Sequence, residues 1–328
     1  MTERIWKIGT RGSLLAMTQT RMVQELLAEI GVRSEAVILH TRGDQLKDKP
    51  LWQFGGKAVF VTEFEEKILS GEIDMAVHSA KDMPAKTPEG LVIGACLPRE
   101  NPADVLVVRR GNDFFGGGGK EKRGEKKADP ASGPRIGTSS LRREMQLREQ
   151  FGLENVSPLR GNVPTRLEKL RIGQYDGVIL AAAGLARLEL DHEPDLVYHS
   201  MDAARYLPAA GQGIIAVECR KGGATEALLR HLNDRRTEVE LAAERGFMYG
   251  IAAGCHEPVA AHAVLGEDGT LRMRVMKYGN GRCRYFSGEA PESRCALLAE
   301  ELAGQVLAAL RPAEEEEDHR TGSRRKDG

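Results

Sequence analysis

The sequence predicts an α/β protein in which two similarly built domains precede a small α+β domain with an antiparallel three-stranded sheet. Three observations carry this. Short apolar runs alternate with helix-like stretches up to about residue 250. The turn Ile8-Gly9-Thr10-Arg11-Gly12-Ser13-Leu14 is echoed by Ile136-Gly137-Thr138-Ser139-Ser140-Leu141, and Glu65-Glu66-Lys67-Ile68-Leu69 with Gly71-Glu72-Ile73-Asp74 is echoed by Leu167-Glu168-Lys169-Leu170 with Gly173-Gln174-Tyr175-Asp176. From Pro258 onward the pattern becomes strands separated by glycine-containing turns. The two echoes are unequally offset, which excludes a regular solenoid.

Arg4 to Thr10 reads as a strand, and Ser13 as the N-cap of a helix to about Ile30, with Leu15, Met22, Leu26 and Leu27 apolar. A strand over Ala36–Thr41, a helix over Phe60–Leu69 and a strand over Ile73–Val77 follow. Leu91–Leu97 and Val105–Val108 are further strands. Residues 110–134, with Gly116 to Gly119 before a Lys/Glu run, cannot bury a core and read as a flexible loop. The spacing of a phosphate-binding glycine loop is missing there. A strand over Tyr175–Ala181 closes the second echo. The turn Leu207–Gly213 enters a strand over Ile214–Cys219. Ala224–His231 and Glu238–Tyr249 are helical, and Val259–Leu265, Leu271–Tyr278 and Arg282–Ser287 are strands covered by a helix over Ser293–Leu310. Residues 312–328 read as a disordered charged tail.

A net charge of −1 argues against non-specific nucleic-acid binding over the whole surface. Five widely spaced cysteines without a CxxC pair favour a reducing compartment over disulfides or zinc. No signal peptide or membrane-spanning run is read, so a cytoplasmic protein is expected.

The stretch Gly71 to Pro84 changes abruptly from an apolar strand to His78, Ser79, Lys81 and Asp82. Ligands of open α/β sheets bind at the carboxyl ends of strands, where Lys81 and Asp82 would lie. A solvated ion pair is the alternative reading. Arg11, Arg142, Arg143, Arg160 and Arg166 cluster at strand–helix junctions. Singly each reads as a surface residue; together they point to a cleft for an anionic ligand. Cys255 lies in a Gly-Cys loop, more available for covalent chemistry than Cys96 or Cys219 within apolar strands. His256 is its neighbour, but adjacent residues rarely face each other, which disfavours a Cys–His dyad.

GTRGSLLA (9–16), TRGD (41–44), GGKAVF (55–60), HSAKDMP (78–84), GTSSLRRE (137–144), RGNVPTRLEKL (160–170), AAAGLARL (181–188), LPAAGQG (207–213) and AAGCHEP (252–258) resemble, in order, the hydroxymethylbilane synthase (porphobilinogen deaminase) family over residues 4–310. The resemblance implies two periplasmic-binding-protein-like (type II) domains, 1–104 with 213–232 and 105–212, and a third domain, 233–311. It implies a transferase of tetrapyrrole (haem) biosynthesis that joins four porphobilinogen molecules head to tail, releases ammonia at each step and frees hydroxymethylbilane with water. By position Cys255 would carry the thioether-linked dipyrromethane cofactor and Asp82 would be catalytic, with a proton affinity that depends on pyrrole occupancy. Lys81, Ser13, Ser140, Arg142, Arg143 and Arg166 would bind the cofactor's carboxylates, and Arg11, Arg160, Arg187 and Gln19 the substrate. Lys57 and Phe60 would belong to a lid. A monomer passing its product to uroporphyrinogen-III synthase, with no metal, nucleic acid or membrane partner, is expected.

Leu14 stands where proline is common in that family, Ala58 where glycine is, Pro164 where a small residue is, and His256-Glu257 where Gln-Val is usual. None removes a charge that the chemistry needs. A non-catalytic binding protein for an organic polyanion is the alternative on the same scaffold.

Overall fold

The computed structural model describes residues 4–39, 61–112, 114–115, 133–254 and 257–311. The proposed lid, most of the 110–134 loop, Cys255, His256 and the charged tail lie outside them.

Three sheets organise the chain. The first is built from β1 (Trp6–Arg11), β2 (Ser34–Leu39), β3 (Met75–Ser79), β4 (Leu91–Cys96) and a late strand, β10 (Ile215–Arg220), in the order β2-β1-β3-β10-β4. The second contains β5 (Asp104–Arg109), β6 (Ile136–Gly137), β7 (Val156–Ser157), β8 (Gly177–Ala181) and β9 (Leu196–Ser200), in the order β7-β6-β8-β5-β9. The two orders are the same. In each, the first three strands are parallel and the fourth position is an antiparallel strand. That strand arrives directly from the other sheet: β4 leads into β5, and β9 into β10. The sequence echoes mark equivalent turns of these two units.

Helix α1 (Leu14–Glu29) begins at Ser13, whose hydroxyl accepts the Ala16 N–H at 3.3 Å. Helix α3 (Leu141–Phe151) begins the same way at Ser140, which accepts the Arg143 N–H at 3.4 Å. Helix α2 (Thr62–Ser70) covers the opposite face of the first sheet from α1, packing Phe64 and Ile68 on Ile73 and Ala76. The buried side of α1 is Gln19, Thr20, Val23 and Leu27, while Met22 is exposed. Two polar residues thus occupy the face expected to be apolar.

The two-residue period of β5 divides its wholly buried run between two cores. Val105 and Val107 pack with α4 (Val163–Arg171) and α5 (Ala182–Ala186); Leu106 and Val108 pack with Leu147 of α3 and with Tyr206. Phe114 and Phe115, read as loop residues, also pack there. Strand β3 starts two residues later than expected, because the Ile73 N–H still caps α2 on the Lys67 carbonyl. Its pairing with β10 carries it on to Ser79.

After β10 come α6 (Ala224–Leu229) and α7 (Arg235–Gly250), which packs with α8 (Cys295–Leu310) on a sheet of β11 (Val259–Leu265), β12 (Thr270–Gly279) and β13 (Arg282–Pro291). Fully buried Phe247 anchors this core. Burying such a side chain contributes about 1.5–3 kcal/mol.

Both crossings between the sheets meet α7. Arg99, on the first, donates to both carboxylate oxygens of Glu244 at 2.7 and 3.3 Å and to the Gln212 carbonyl at 3.0 Å. Glu244, wholly buried, also accepts the N–H groups of Gly211 on the second crossing (2.6 Å) and of Ala263 on β11 (2.8 Å). Gly213 has a left-handed φ of +90°, and a Cβ there would lie 2.3 Å from the Glu100 carbonyl oxygen. Only glycine allows the two crossings to pass this closely. Removing one member of a buried ion pair costs about 3–5 kcal/mol. Glu244→Ala is therefore expected to lower unfolding free energy by about that amount in urea titration; a change under about 1 kcal/mol would show that the crossings hold without it.

Candidate active site

Strand β3 delivers three polar residues to three different places. His78 approaches the buried Glu218 carboxylate of β10, with Nε2 3.3 Å from Oε2, and meets Phe64 edge-on at 5.3 Å between ring centroids. Nearby on α2, burial and then the charge of Glu218 push the Glu65 carboxyl up to about 7. Ser79 hydrogen-bonds the Gln19 side chain in both directions, at 2.9 and 3.2 Å. The chain then tightens into a 3₁₀ turn over Ala80–Asp82, and Met83, extended before Pro84, donates its N–H to the Ala80 carbonyl at 3.1 Å. Lys81 is half-buried and Asp82 exposed.

The second sheet supplies the arginines. Arg142 and Arg143, both buried, converge on Asp104, the first residue of β5. Arg142 Nη2 lies 2.8 Å from one carboxylate oxygen, and Arg143 donates to the other from Nε and Nη2 at 3.1 and 2.7 Å. Gln212 donates to that second oxygen at 2.9 Å. Burial would raise the Asp104 carboxyl, but the two guanidinium groups and the hydrogen bonds from Arg143 and Gln212 hold it well below the usual carboxylate range. Arg142 also donates to the Leu207 carbonyl at 2.7 Å, and Arg143 to that of Ile179 at 2.9 Å.

Arg166, on α4, donates from Nε to the Gly161 carbonyl at 2.7 Å, and Arg187, just past α5, from Nη2 to that of Gly213 at 2.6 Å. Burial, and then the charge of Arg143, lower the Arg166 guanidinium to about 10, with Asp82 opposing. Burial likewise lowers Arg187, against the pull of Glu100. Arg11 ends β1 and Arg160 precedes α4; both are half-buried.

Across the two α/β units, Lys81 and Asp82 of the first come close to Arg142, Arg143 and Arg166 of the second. Burial pushes the Lys81 ammonium down to about 8; Asp82 and Asp104 oppose the shift, while Arg143 and Arg142 add to it. Asp82 is in turn felt by Arg166 across the junction. Four cations, Lys81, Arg142, Arg143 and Arg166, thus share two carboxylates, Asp82 and Asp104. Such an excess suits a ligand that carries several carboxylates.

A cavity of about 170 Å³ adjoins Lys81, Met83 and Ala210. Arg245 of α7, donating to the Thr87 hydroxyl at 2.9 Å, lines it too, as do Gly254 and Glu257, the residues on either side of 255–256. A group attached at that loop and bearing carboxylates fits this lining. Lys57, Phe60 and Cys255 lie outside the described residues, and among those described no group of His, Cys, Asp and Glu side chains could hold a metal ion.

Asp104 and Arg245 are not among the residues singled out from the sequence, and Gln212 enters there only as part of the turn LPAAGQG (207–213). The only local signal for Asp104 was an acidic residue opening an otherwise apolar strand.

A model of the family "Porphobilinogen deaminase, dipyromethane cofactor binding domain" matches residues 6–227. The chain is 43% identical to a porphobilinogen deaminase of Syntrophobacter fumaroxidans over 279 residues, 84% of this chain and 85% of that one. It is 39% identical to that of Bacillus subtilis over 325 residues, 96% of this chain and 99% of the other. Among solved structures, the periplasmic VFT2 domain of Bordetella pertussis BvgS aligns with 70% of this chain and 86% of its own at 16% identity and a TM-score of 0.39.

Lys81 is expected to titrate near 8 in the folded chain, against about 10.4 when unfolded. Between those values the unfolded state binds the extra proton, so stability from this group rises with pH through that window. Urea midpoints at pH 7 and 9.5 should therefore show wild type gaining on Lys81→Met at the higher pH. An equal difference at both would contradict the depressed ammonium.

Proposed function

The chain belongs to the porphobilinogen deaminase family, and on that premise we propose that Asp82 and Cys255 are the two chemical centres of its hydroxymethylbilane synthase activity. The reaction is the stepwise condensation of four porphobilinogen molecules with loss of ammonia, a transferase step of tetrapyrrole biosynthesis that depends on a dipyrromethane cofactor. The observation that carries the assignment is the meeting of Asp82 with Lys81 and with Arg166, both beside Arg143, across the junction of the two α/β units.

Each porphobilinogen carries an acetate and a propionate, so a growing chain is a string of carboxylates. Arg166 and Lys81, desolvated and near like charges, gain most from such a partner. Arg142 and Arg143, held rigid by Asp104, keep further N–H donors for it, and a preset guanidinium plane loses little entropy on binding. Arg11, Arg160 and Arg187 take the substrate's carboxylates in the same way. Ser13 and Ser140 cap α1 and α3, so their helix N-termini add partial positive charge. Gln19 acts more remotely, by fixing Ser79 beside the 3₁₀ turn.

The bound dipyrromethane supplies the free pyrrole carbon to which the first substrate unit is joined. Asp82, exposed at the turn, gives its proton to the leaving amine; the C–N bond breaks and ammonia departs. The resulting carboxylate faces the cationic methylene-pyrrolenine. Asp82 would then take up the ring proton displaced as the new C–C bond forms at that carbon. The last round uses water as the nucleophile.

The cavity flanked by Gly254 and Glu257 supports Cys255 as the attachment point. The sheets favour domains 1–104 with 213–232, 105–212 and 233–311, and the further proposal is a cytoplasmic monomer that releases its product to uroporphyrinogen-III synthase. A non-catalytic polyanion binder would leave Asp82 and Cys255 without a role. Intact mass spectrometry should find the dipyrromethane mass on wild type and lose it in Cys255→Ser; an unmodified wild type that consumes no porphobilinogen would overturn the assignment. Asp82→Asn should fold normally and lose about 10²-fold or more in kcat, whereas near-normal turnover would remove Asp82 from proton transfer.

A further inference from the structure

The two shoulders of the 255–256 loop are unusually well fastened. Helix α7 ends with Ala252 at a left-handed φ of +51°. The Ala252 and Ala253 N–H groups each reach back at 3.0 Å, to the carbonyls of Tyr249 and Met248. That is the bond pair of a Schellman ending, with alanine where glycine is usual. On the far side, Val259 N–H donates to the Glu257 carbonyl at 2.8 Å and Tyr278 N–H to that of Pro258 at 3.0 Å, so β11 and β12 hold the exit.

Glu257 joins these two shoulders. Its own N–H donates to the Gly254 carbonyl at 3.2 Å, while Oε1 of its side chain accepts the Gly254 N–H at 3.1 Å. The other oxygen, Oε2, pairs with the ammonium of Lys277 on β12. Lys277 is largely buried between Val259 of β11 and Arg284 of β13, which are its register partners. An apolar side chain at 257 would supply neither side-chain bond. Gly254 and Glu257 also line the cavity that reaches Lys81.

We propose that Glu257 is a positioning residue for the reaction: by tying Gly254 to Lys277 it fixes the direction in which the group carried by Cys255 enters the cavity beside Lys81. The proposal rests on the reading of Cys255 as the attachment point. The tethered group must meet a new substrate at Asp82 in every round, and slack at its root spreads the position of the reacting carbon. The loss then falls on kcat, because the arginines that bind substrate carboxylates are untouched.

The test uses purified holoenzyme with Glu257→Gln, which keeps an acceptor for Gly254 but not the ion pair, and Glu257→Ala, which keeps neither. Both are expected to retain the cofactor mass and to melt within a few degrees of wild type. In Glu257→Ala the kcat should fall about tenfold with KM within about twofold, and amide exchange at Gly254 should quicken about tenfold. Glu257→Gln should lie between. Wild-type kcat or wild-type exchange in Glu257→Ala overturns the proposal, as does a fall in kcat matched by a rise in KM and loss of fold. A wild type without added mass would refute the reading of Cys255, and the exchange comparison would still decide whether Glu257 braces the loop.

Discussion

Arg99 and Glu244 meet at the one place where the chain must pass twice between its sheets. Each ion alone would cost several kcal/mol to bury. Here the Glu244 carboxylate accepts from Arg99, from the Gly211 N–H and from the Ala263 N–H, so one side chain joins both crossings to α7 and β11. Gln212 extends the network: its carbonyl accepts from Arg99, and its amide donates to Asp104 and to the Pro102 carbonyl at 2.7 Å. From Asp104 the same network continues to Arg142 and Arg143. The Arg99–Glu244 pin is therefore joined to Arg142 and Arg143 through Gln212 and Asp104 in one buried polar chain.

That continuity explains how the site tolerates its charge. Four cations close together would repel one another and stay hydrated in a loose surface patch. Asp104 neutralises part of their charge from behind, and the carbonyls of Leu207 and Ile179 take further N–H groups. Gln146 adds to the support, donating to the Leu207 carbonyl at 3.0 Å and accepting the Leu207 N–H at 2.8 Å. Lys81 and Arg166 are held below their usual proton affinity first by burial and then by the neighbouring arginines, with Asp82 opposing.

The fold was legible where its causes are local. Ser13 and Ser140 cap their helices through residues three positions on, and Met83-Pro84 sets the exit of β3. Strand β9 was not legible, because Leu196–Ser200 becomes a strand only by pairing with β5, about ninety residues away in sequence. The candidate site divides in the same way. The motifs placed Lys81, Asp82 and the arginines, but the partner of Arg142 and Arg143 is Asp104, 38 and 39 residues distant, and Arg99 finds Glu244 at a separation of 145. No periodicity in the sequence encodes such pairs; they follow from the sheet order.

The position of Asp82 follows from what its neighbours do. His78 is turned to Glu218 and Phe64, and Ser79 to Gln19. Ala80 is held by its N–H to the Ile214 carbonyl at 3.0 Å, and Met83 is buried. Gly211, at φ +72°, lies so close that a Cβ would stand 3.0 Å from both the Ala80 carbonyl carbon and the Lys81 nitrogen. His78, Ser79, Ala80 and Met83 are thus each committed to contacts of their own. For the proton-transfer role proposed for Asp82, a carboxylate on a mobile loop would lose rate each time it had to find the leaving amine. Here the backbone that carries it is held through Ala80 by the same crossing whose Gln212 reaches Asp104, the partner of Arg142 and Arg143, so under that proposal carboxylate and cations share one frame.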